Sequence, residues 1–283
     1  MTKLLWDTGT AYDFFVSLFV LHYAEEFGLR PSWTAGVRQR LSAPVREFLV
    51  HLSTFAAVPL GWVLNLPAPK DAASALQAIA DLPAAERLPA LTLNPETPAE
   101  VRTVLFSIAR RGSWKDEEQK ILQGRYVRRG APLPPAALTY MLKAWAGAEQ
   151  TGVALLEALQ EYQAVFFAEE ENRILPALQA GLQRGRDLAA SLPVEALVEE
   201  LSRGIHLTNL EAIHELTLVP SFWATPLIFL TKLTPRKSLL LYGARPEVES
   251  VAPGAETADT LVTSLKSLAD PTRLRILRFL ADG

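Results

Sequence analysis

The side chains best suited to bind a metal ion or to move protons are four histidines, His22, His51, His206 and His214. No two of them have the helical i, i+3 or i, i+4 spacing that would bring both imidazoles to one metal. His214-Glu215 begins like a zinc-protease motif, but the second histidine of that motif is missing. The chain has no cysteine, which excludes disulfides and thiolate metal sites. We therefore expect no metal site, and ordinary core or surface positions for the histidines.

Other catalytic patterns are also missing from the sequence. It contains no Gly-x-Ser-x-Gly elbow, no Gly-x-Gly-x-x-Gly fingerprint and no P-loop, so neither serine hydrolysis nor phosphate cradling is indicated. The acidic run Glu169–Glu171 is interpreted as a solvated helix end. We predict no catalytic residue, no cofactor and no enzymatic activity, and keep an enzyme with an unrecognised helical active site as a rival hypothesis.

A basic segment from Arg110 to Arg129 has seven basic and three acidic side chains, with Trp114 and Tyr126 between them. It has the composition of a phosphate or nucleic-acid patch. Both Arg-Arg-Gly triplets in it also have the sequence expected at a helix C-terminus, where cations and a glycine cap are favoured. The second interpretation is preferred.

Large aromatic side chains recur along the helical part of the chain. They have two interpretations, because aromatics at helical spacing either line an apolar ligand pocket or simply form core. Core is the more frequent role of such aromatics; a small-molecule effector pocket in this part is the alternative, and it rests on the family resemblance described below, not on a residue pattern. The aromatics concerned are Trp33, Trp62, Trp145, Phe166 and Trp223.

Composition predicts a folded chain without a membrane partner. The 283 residues are 49% hydrophobic and 21% charged, with a net charge of −3, which argues against nucleic-acid binding by the body of the protein. The uncharged stretch Phe48–Leu66 is interrupted by Pro59-Leu-Gly61, which favours two buried helices over one membrane span. The start of the chain lacks the pattern of a signal peptide, so we expect a cytoplasmic protein.

Helical periodicity and cap residues predict a mainly α fold with a small antiparallel β-sheet. Helices are expected from Thr10 to Phe27 and at successive positions to Gly204, including a helix capped by Asp71 and one with a capping box at Thr97. Short β-type runs follow near residues 214–243. We predict an α-rich regulatory domain over residues 1–245 and a polar linker over 246–256. The remaining predicted helices are Lys115–Gly130, the helix that begins at Pro134-Pro135, Thr151–Glu171, Arg173–Leu192 and the helix that closes at Arg203-Gly204.

The last segment, residues 257–283, is predicted to form two short amphipathic helices. Asp270 is placed to cap the second helix and Pro271 to occupy its first position. Arg273 projects onto the apolar side, which indicates a structural arginine. Arg275 and Arg278 share the polar face, where they could contact DNA phosphates. The segment Glu256–Gly283 has four basic and four acidic side chains, so it carries no net charge.

The sequence LKSLADPTRLRILRFLADG, residues 265–283, resembles the opening of the ArsR-type winged-helix transcription regulators. The resemblance implies a helix-turn-helix with a recognition helix for the major groove, a β-wing and a homodimer, all after these two helices. We expect a truncated winged helix, because the pair alone leaves an apolar face uncovered. The family's metal sensing through cysteines is in doubt here, since the chain has none.

Three further segments resemble ArsR-type regulators with a large domain of uncharacterised function: YDFFVSLFVLHYAEEFGLRPSW from Tyr12, LTLVPSFWATPLIFL from Leu216 and LLLYGAR from Leu239. The resulting prediction is a transcription regulator whose operator binding is modulated by the N-terminal domain. The alternative is a ligand-binding or interaction protein that does not bind DNA and uses a vestigial helix pair for dimerisation. The sequence names neither the effector nor the operator.

Overall fold

The computed structural model describes residues 2–128, 130–207 and 210–246. Contacts divide the chain into two compact units, Met1–Arg245 and Pro246–Gly283. Only the first unit lies within the described residues, apart from Pro246. The predicted linker, the two predicted C-terminal helices, and with them Arg275 and Arg278, lie outside the described residues.

The first unit is mainly helical with one small four-stranded sheet, which confirms the predicted class. A two-stranded hairpin lies between the eighth and ninth helices. The strands are β1 Lys3–Trp6, β2 Val127–Arg128, β3 Ala131–Pro132, β4 Glu215–Ser221, β5 Phe229–Thr234 and β6 Lys237–Gly243. The α-helices are α1 Thr10–His22, α2 Pro31–Arg40, α3 Ala43–Phe55, α4 Leu60–Leu64, α5 Ala72–Ala80, α6 Ala84–Thr92, α7 Ala99–Arg111, α8 Asp116–Arg125, α9 Pro135–Ala146, α10 Ala148–Tyr162, α11 Ala168–Ala189 and α12 Val194–Ser202.

The sheet has the strand order β1-β4-β6-β5 and is mixed, so the expectation of an antiparallel sheet was wrong in its topology. Only β5 and β6 pair antiparallel; β4 lies parallel to both β1 and β6. After β4 the chain crosses to the far edge of the sheet, where it forms β5. It then turns back, and β6 lies between β4 and β5. β1 was not predicted, because its four residues pair with a strand more than 200 residues away.

The two faces of the sheet have different neighbours because successive side chains of a strand point to opposite sides. On one face Leu216, Leu218, Leu240 and Tyr242 form a core cluster with buried residues of α12. Tyr242 also donates a hydrogen bond of 2.9 Å to the Gly181 carbonyl of α11. A cleft lies on the opposite face, where Leu5, Thr217 and Thr231 line it.

Several predicted helix boundaries are confirmed by local chemistry. α3 and α4 are separate helices on either side of residues 56–59, as the Pro-Gly pattern indicates. Asp71 caps α5, with its Oδ1 accepting from the backbone N–H of Ser74 at 2.7 Å. α7 ends at Arg111, and Gly112 follows with φ +71°, the left-handed conformation that glycine tolerates best.

Other predicted boundaries were wrong. The capping box at Thr97 does not form: Pro98 occupies the N-cap of α7, and the Thr97 hydroxyl donates to Asn94 Oδ1 at 3.1 Å. α8 ends at Arg125, because the β-forming residues Tyr126 and Val127 start the hairpin that turns at Gly130. α10 and α11 join through a π-helical turn, Gln163–Phe167, so the helix expected to end at Glu171 continues.

Among the described residues, no helix combines the length and the apolar character needed to cross a bilayer.

Candidate functional site

The cleft is a space of about 1100 Å³ between the sheet and the helices that face it. Its walls come from six separate parts of the chain. These are β1 with the residue after it, Phe19 of α1, the segment from Ala57 to Lys70, the end of α6 with the following loop, Arg102 of α7, and the strands β4 to β6. This volume is slightly above the roughly 300–1000 Å³ of typical small-molecule sites. The cleft is therefore large enough for a sizeable organic ligand.

The floor of the cleft is a row of residues across the sheet. Leu5 of β1 lies beside Thr217 of β4, and Thr217 and Thr231 both pair with Leu239 of β6. Leu5, Thr217 and Thr231 line the cleft, whereas Leu239 is fully buried. Thr217 and Thr231 thus place two hydroxyl groups on an otherwise apolar floor.

The segment between α3 and α4 bends sharply and supplies apolar side chains to the wall of the cleft. Pro59 lacks a backbone N–H and cannot continue α3, so the segment turns and presents Leu60 and Trp62 to the cleft. The Trp62 ring packs edge-on against Phe15, with 6.1 Å between the ring centroids. Phe229 of β5 packs against Phe19 of α1, with 5.5 Å between the ring centroids. These contacts hold the aromatic walls in place.

At the end of β1, a carboxylate and an ammonium group form the inner polar corner of the cleft. Asp7 forms an ion pair with Lys70, and both side chains are largely buried. Asp7 also accepts from the Tyr12 hydroxyl at 2.6 Å and from the Thr8 backbone N–H at 3.0 Å. Lys70 donates a second bond, of 2.6 Å, to the Leu64 carbonyl. Burial, together with Asp7, raises the pKa of Tyr12 well above its usual value, so its hydroxyl remains a donor.

The Asp7 carboxylate is occupied by contacts within the protein, since it accepts bonds from Thr8, Tyr12 and Lys70. A second charged pair lies on the sheet side of the cleft, where Lys237 lies 2.6 Å from Glu215. The hydrogen bond from Lys237 lowers the pKa of Glu215. Both carboxylates therefore already have a cationic partner.

A small apolar side cavity of about 60 Å³ adjoins the cleft. The two spaces share the wall formed by Phe19, residues 57–59, Leu91 and Thr92. His22 is the titratable residue that lines the side cavity, and its Nδ1 lies 2.8 Å from the Leu18 carbonyl. Burial lowers the pKa of His22 to about 4, so the ring is neutral and donates through Nδ1. Its Nε2 is then an acceptor.

A second buried titratable group lies away from the cleft, where α1 meets the end of β4. Asp13 is fully buried, and its Oδ1 accepts 2.8 Å bonds from the Ser221 hydroxyl and from the Trp223 backbone N–H. Its Oδ2 has no hydrogen-bond partner among the described residues. Burial raises the pKa of Asp13 to about 7, and the two hydrogen bonds offset this rise only in part.

His51 and His206 have partly or largely exposed side chains. His51 is stacked on Tyr140, with 4.2 Å between ring centroids, and His206 lies 3.3 Å from Glu199 at the surface. Within the part of the chain that the structure describes, no group of three or more histidine, aspartate or glutamate side chains is placed to hold a metal ion.

The acidic run Glu169–Glu171 is not a solvated helix end, so that interpretation was wrong for two of its residues. Glu170 is buried and pairs with Arg173, whose guanidinium lies 4.5 Å from the Phe222 ring centroid. Glu171 accepts from the Ala72 backbone N–H at 3.0 Å at the start of α5. Glu170 and Glu171 therefore contribute contacts that hold the start of α11 in place. The π-helical turn Gln163–Phe167 precedes them and changes the helical phase.

Two arginines of the basic segment lie within ion-pair distance of carboxylates. Arg111 pairs with Glu118 of α8, and Arg125 lies 3.6 Å from Glu100. Tyr126 donates to the Phe55 carbonyl at 2.9 Å, so its hydroxyl is used in packing. The first Arg-Arg-Gly triplet is a helix terminus as predicted, whereas α8 ends at Arg125, before the second triplet.

Of the aromatics singled out in the sequence, only Trp62 lines the cleft. Trp33 and Trp223 pack together at 5.2 Å between centroids, with Phe166 beside both, and Trp145 lies in the core against Phe106. Sequence reasoning missed Asp7 and Lys70. The available signal was the short apolar run before Asp7-Thr-Gly, which resembles a strand followed by a turn.

Comparison with known proteins adds no relative: no family model, curated protein or solved structure matches the chain.

Proposed function

We propose that the chain belongs to a DNA-binding transcription regulator of the ArsR type, in which the Met1–Arg245 unit binds an effector that modulates operator binding. The observation that carries the proposal is the pattern of residues 265–283, which resembles the first two helices of that winged-helix domain. The cleft supports it, because a regulator of this kind needs a ligand site outside its DNA-binding domain. The proposed protein is a cytoplasmic homodimer.

In this proposal Arg275 and Arg278 contact phosphates, while the recognition helix and wing follow the two helices in the family pattern. Phosphate contacts made by arginine strengthen binding to all sequences and make it dependent on salt. Effector binding shifts DNA affinity through the difference in effector affinity between two states of the protein. Effector and operator binding are therefore reciprocal.

The test is selection of genomic DNA fragments by the protein that its complete reading frame encodes. The proposal predicts enrichment of a palindromic site and a salt-dependent affinity by fluorescence anisotropy. Arg275→Ala with Arg278→Ala should weaken binding to all sequences and reduce the salt slope by about 2. Arg125→Ala, an exposed arginine of α8, is the matched control and should change neither.

Two outcomes contradict the proposal. Absence of any enriched sequence refutes DNA-specific binding by the protein that the complete reading frame encodes. Tight, sequence-specific binding by the chain that ends at Gly283 refutes the assignment of DNA recognition to a later helix.

A second candidate is a ligand-binding protein in which residues 257–283 serve only dimerisation. The observation that favours it is that all residues lining the cleft belong to the Met1–Arg245 unit, so ligand binding does not require DNA. This candidate predicts no enriched DNA sequence. It also predicts a dimer by sedimentation equilibrium that dissociates when Leu277, expected on the apolar side of the last helix, is replaced by Asp.

A further inference from the structure

The charges that line the cleft balance in number and are mostly satisfied within the protein. The pairs Asp7–Lys70 and Glu215–Lys237 each join opposite charges. Arg102 donates to backbone carbonyls of the loop after α6, including Thr97 at 3.1 Å. The charged lining residues are Asp7, Glu96 and Glu215 against Lys70, Arg102 and Lys237.

This balance selects against a charged ligand. A ligand anion or cation in the inner part of the cleft would either compete with the Asp7–Lys70 pair or remain without a counterion. An uncompensated charge in a largely buried position is strongly unfavourable. A neutral molecule avoids both costs.

The polar groups that remain suit a neutral oxygen. The Lys70 ammonium has three N–H donors and directs one to Asp7 and one to Leu64, which leaves one for a ligand. The hydroxyls of Thr217 and Thr231 lie on the cleft floor and make no hydrogen bond among the described residues. A carbonyl or hydroxyl oxygen of a ligand can satisfy these groups without a charge.

The rest of the lining is apolar and includes aromatic rings. Trp62 and Phe229 both line the cleft, and the side cavity behind Pro59 offers space for a small apolar substituent. A flat ring system packed against such aromatic side chains buries apolar surface efficiently, and the cleft volume accommodates more than one ring.

We propose that the cleft binds an uncharged, mainly apolar molecule of several rings, with a carbonyl or hydroxyl oxygen at Lys70 and a small apolar substituent in the side cavity. The inference rests on the proposed function only in taking the cleft as the effector site. Its test uses no DNA, so a failure of DNA recognition and a failure of ligand recognition are separate results.

The probes are Nile red and Nile blue, which share one fused-ring scaffold. Nile red is neutral and has a ring carbonyl; Nile blue is cationic. Fluorescence titration of the full chain should show one Nile red site per chain, and affinity for Nile blue at least about tenfold lower. Anilinonaphthalene sulfonate, an anionic dye, should also bind at least about tenfold more weakly. Preference for either charged dye overturns the proposal.

Two pairs of variants locate the dye. Thr231→Trp fills the cleft from β5 and should lower Nile red affinity about tenfold or more. Lys232→Trp adds the same ring at the next, exposed position, which does not line the cleft, and should leave affinity within about twofold.

Lys70→Met should lower affinity for Nile red, while Lys120→Met, at an exposed position of α8 that does not line the cleft, should change it little. Thermal melting and circular dichroism show which variants are folded. If the two folded tryptophan variants bind Nile red equally, the dye is not in the cleft and the proposal is wrong. Loss of binding in Thr231→Trp alone supports it even where Lys70→Met does not fold.

Discussion

Two buried titratable groups of α1, Asp13 and His22, should give the stability of the first unit opposing responses to pH. Folding raises the pKa of Asp13 from 3.8 to about 7 and lowers that of His22 from 6.5 to about 4. Desolvation is the main cause for both. The neighbours with charge that act on them are Glu170 for Asp13 and Arg38 for His22.

The sign follows from which state binds the proton more tightly. The folded state binds the Asp13 proton more tightly than the unfolded state. The contribution of Asp13 to stability is therefore complete below pH 3.8 and is lost as pH rises towards about 7. For His22 the unfolded state binds the proton more tightly, so its contribution is complete above pH 6.5 and is lost as pH falls towards about 4. At roughly 1.4 kcal/mol per pKa unit, the full effects are about 4 kcal/mol for Asp13 and about 3 kcal/mol for His22.

The two contributions cancel over much of this range, and substitution should reveal them. Asp13→Asn removes the titrating carboxyl and with it the decrease in stability at higher pH. The unfolding free energy of the variant minus that of the unmodified protein should therefore rise by up to about 4 kcal/mol between about pH 4 and pH 7. His22→Gln should show the opposite trend, with a fall of up to about 3 kcal/mol.

The assay is urea denaturation followed by circular dichroism at half-unit pH steps. Groups common to both proteins drop out of the difference in unfolding free energy. The unpaired Asn amide that replaces the Asp13 Oδ2 adds only a constant, because it does not titrate. A difference that stays level with pH for Asp13→Asn would refute the assignment of the raised pKa to this carboxyl.

Two further predictions concern packing and helix ends. An added Cβ at Gly152 would lie 1.8 Å from the Ala84 carbonyl oxygen, so Gly152→Ala should lower the unfolding free energy by about 2 kcal/mol or more. Gly124 lies in open space on α8, so Gly124→Ala should raise the unfolding free energy by about 0.5–1 kcal/mol. Urea denaturation measures both. Arg87 donates to backbone carbonyls at the end of α5, so Arg87→Met should lower the unfolding free energy by about 1–3 kcal/mol; the exposed Arg125→Met control should change it by less than about 1 kcal/mol.

Local chemistry made much of the helical part predictable. Pro59 removes a backbone donor, and Asp71 supplies a cap, so both determine a boundary within a few residues of themselves. β4, β5 and β6 could be predicted as short β-type runs, because proline-containing turns separate them in the sequence. Their order in the sheet was not, because nothing local to a strand states which neighbour it pairs with.

The cleft could not be predicted from local patterns, because its lining comes from segments far apart in the chain. Asp7 and Lys70 are each single charged residues in the sequence, and 63 positions separate them. Asp13 and Glu170 resemble ordinary helix-surface carboxylates until the fold buries them. The π-helical turn at Gln163–Phe167 changes the helical phase, which is why the acidic run after it points inward.

The most direct test of the ligand cleft is a crystal structure of the protein with Nile red bound. We predict the dye in the cleft, in contact with Trp62 or Phe229, with its ring carbonyl oxygen within hydrogen-bonding distance of Lys70 Nζ. Dye bound only outside the cleft, or within it with that oxygen turned away from Lys70, would contradict the proposed recognition of a neutral ligand.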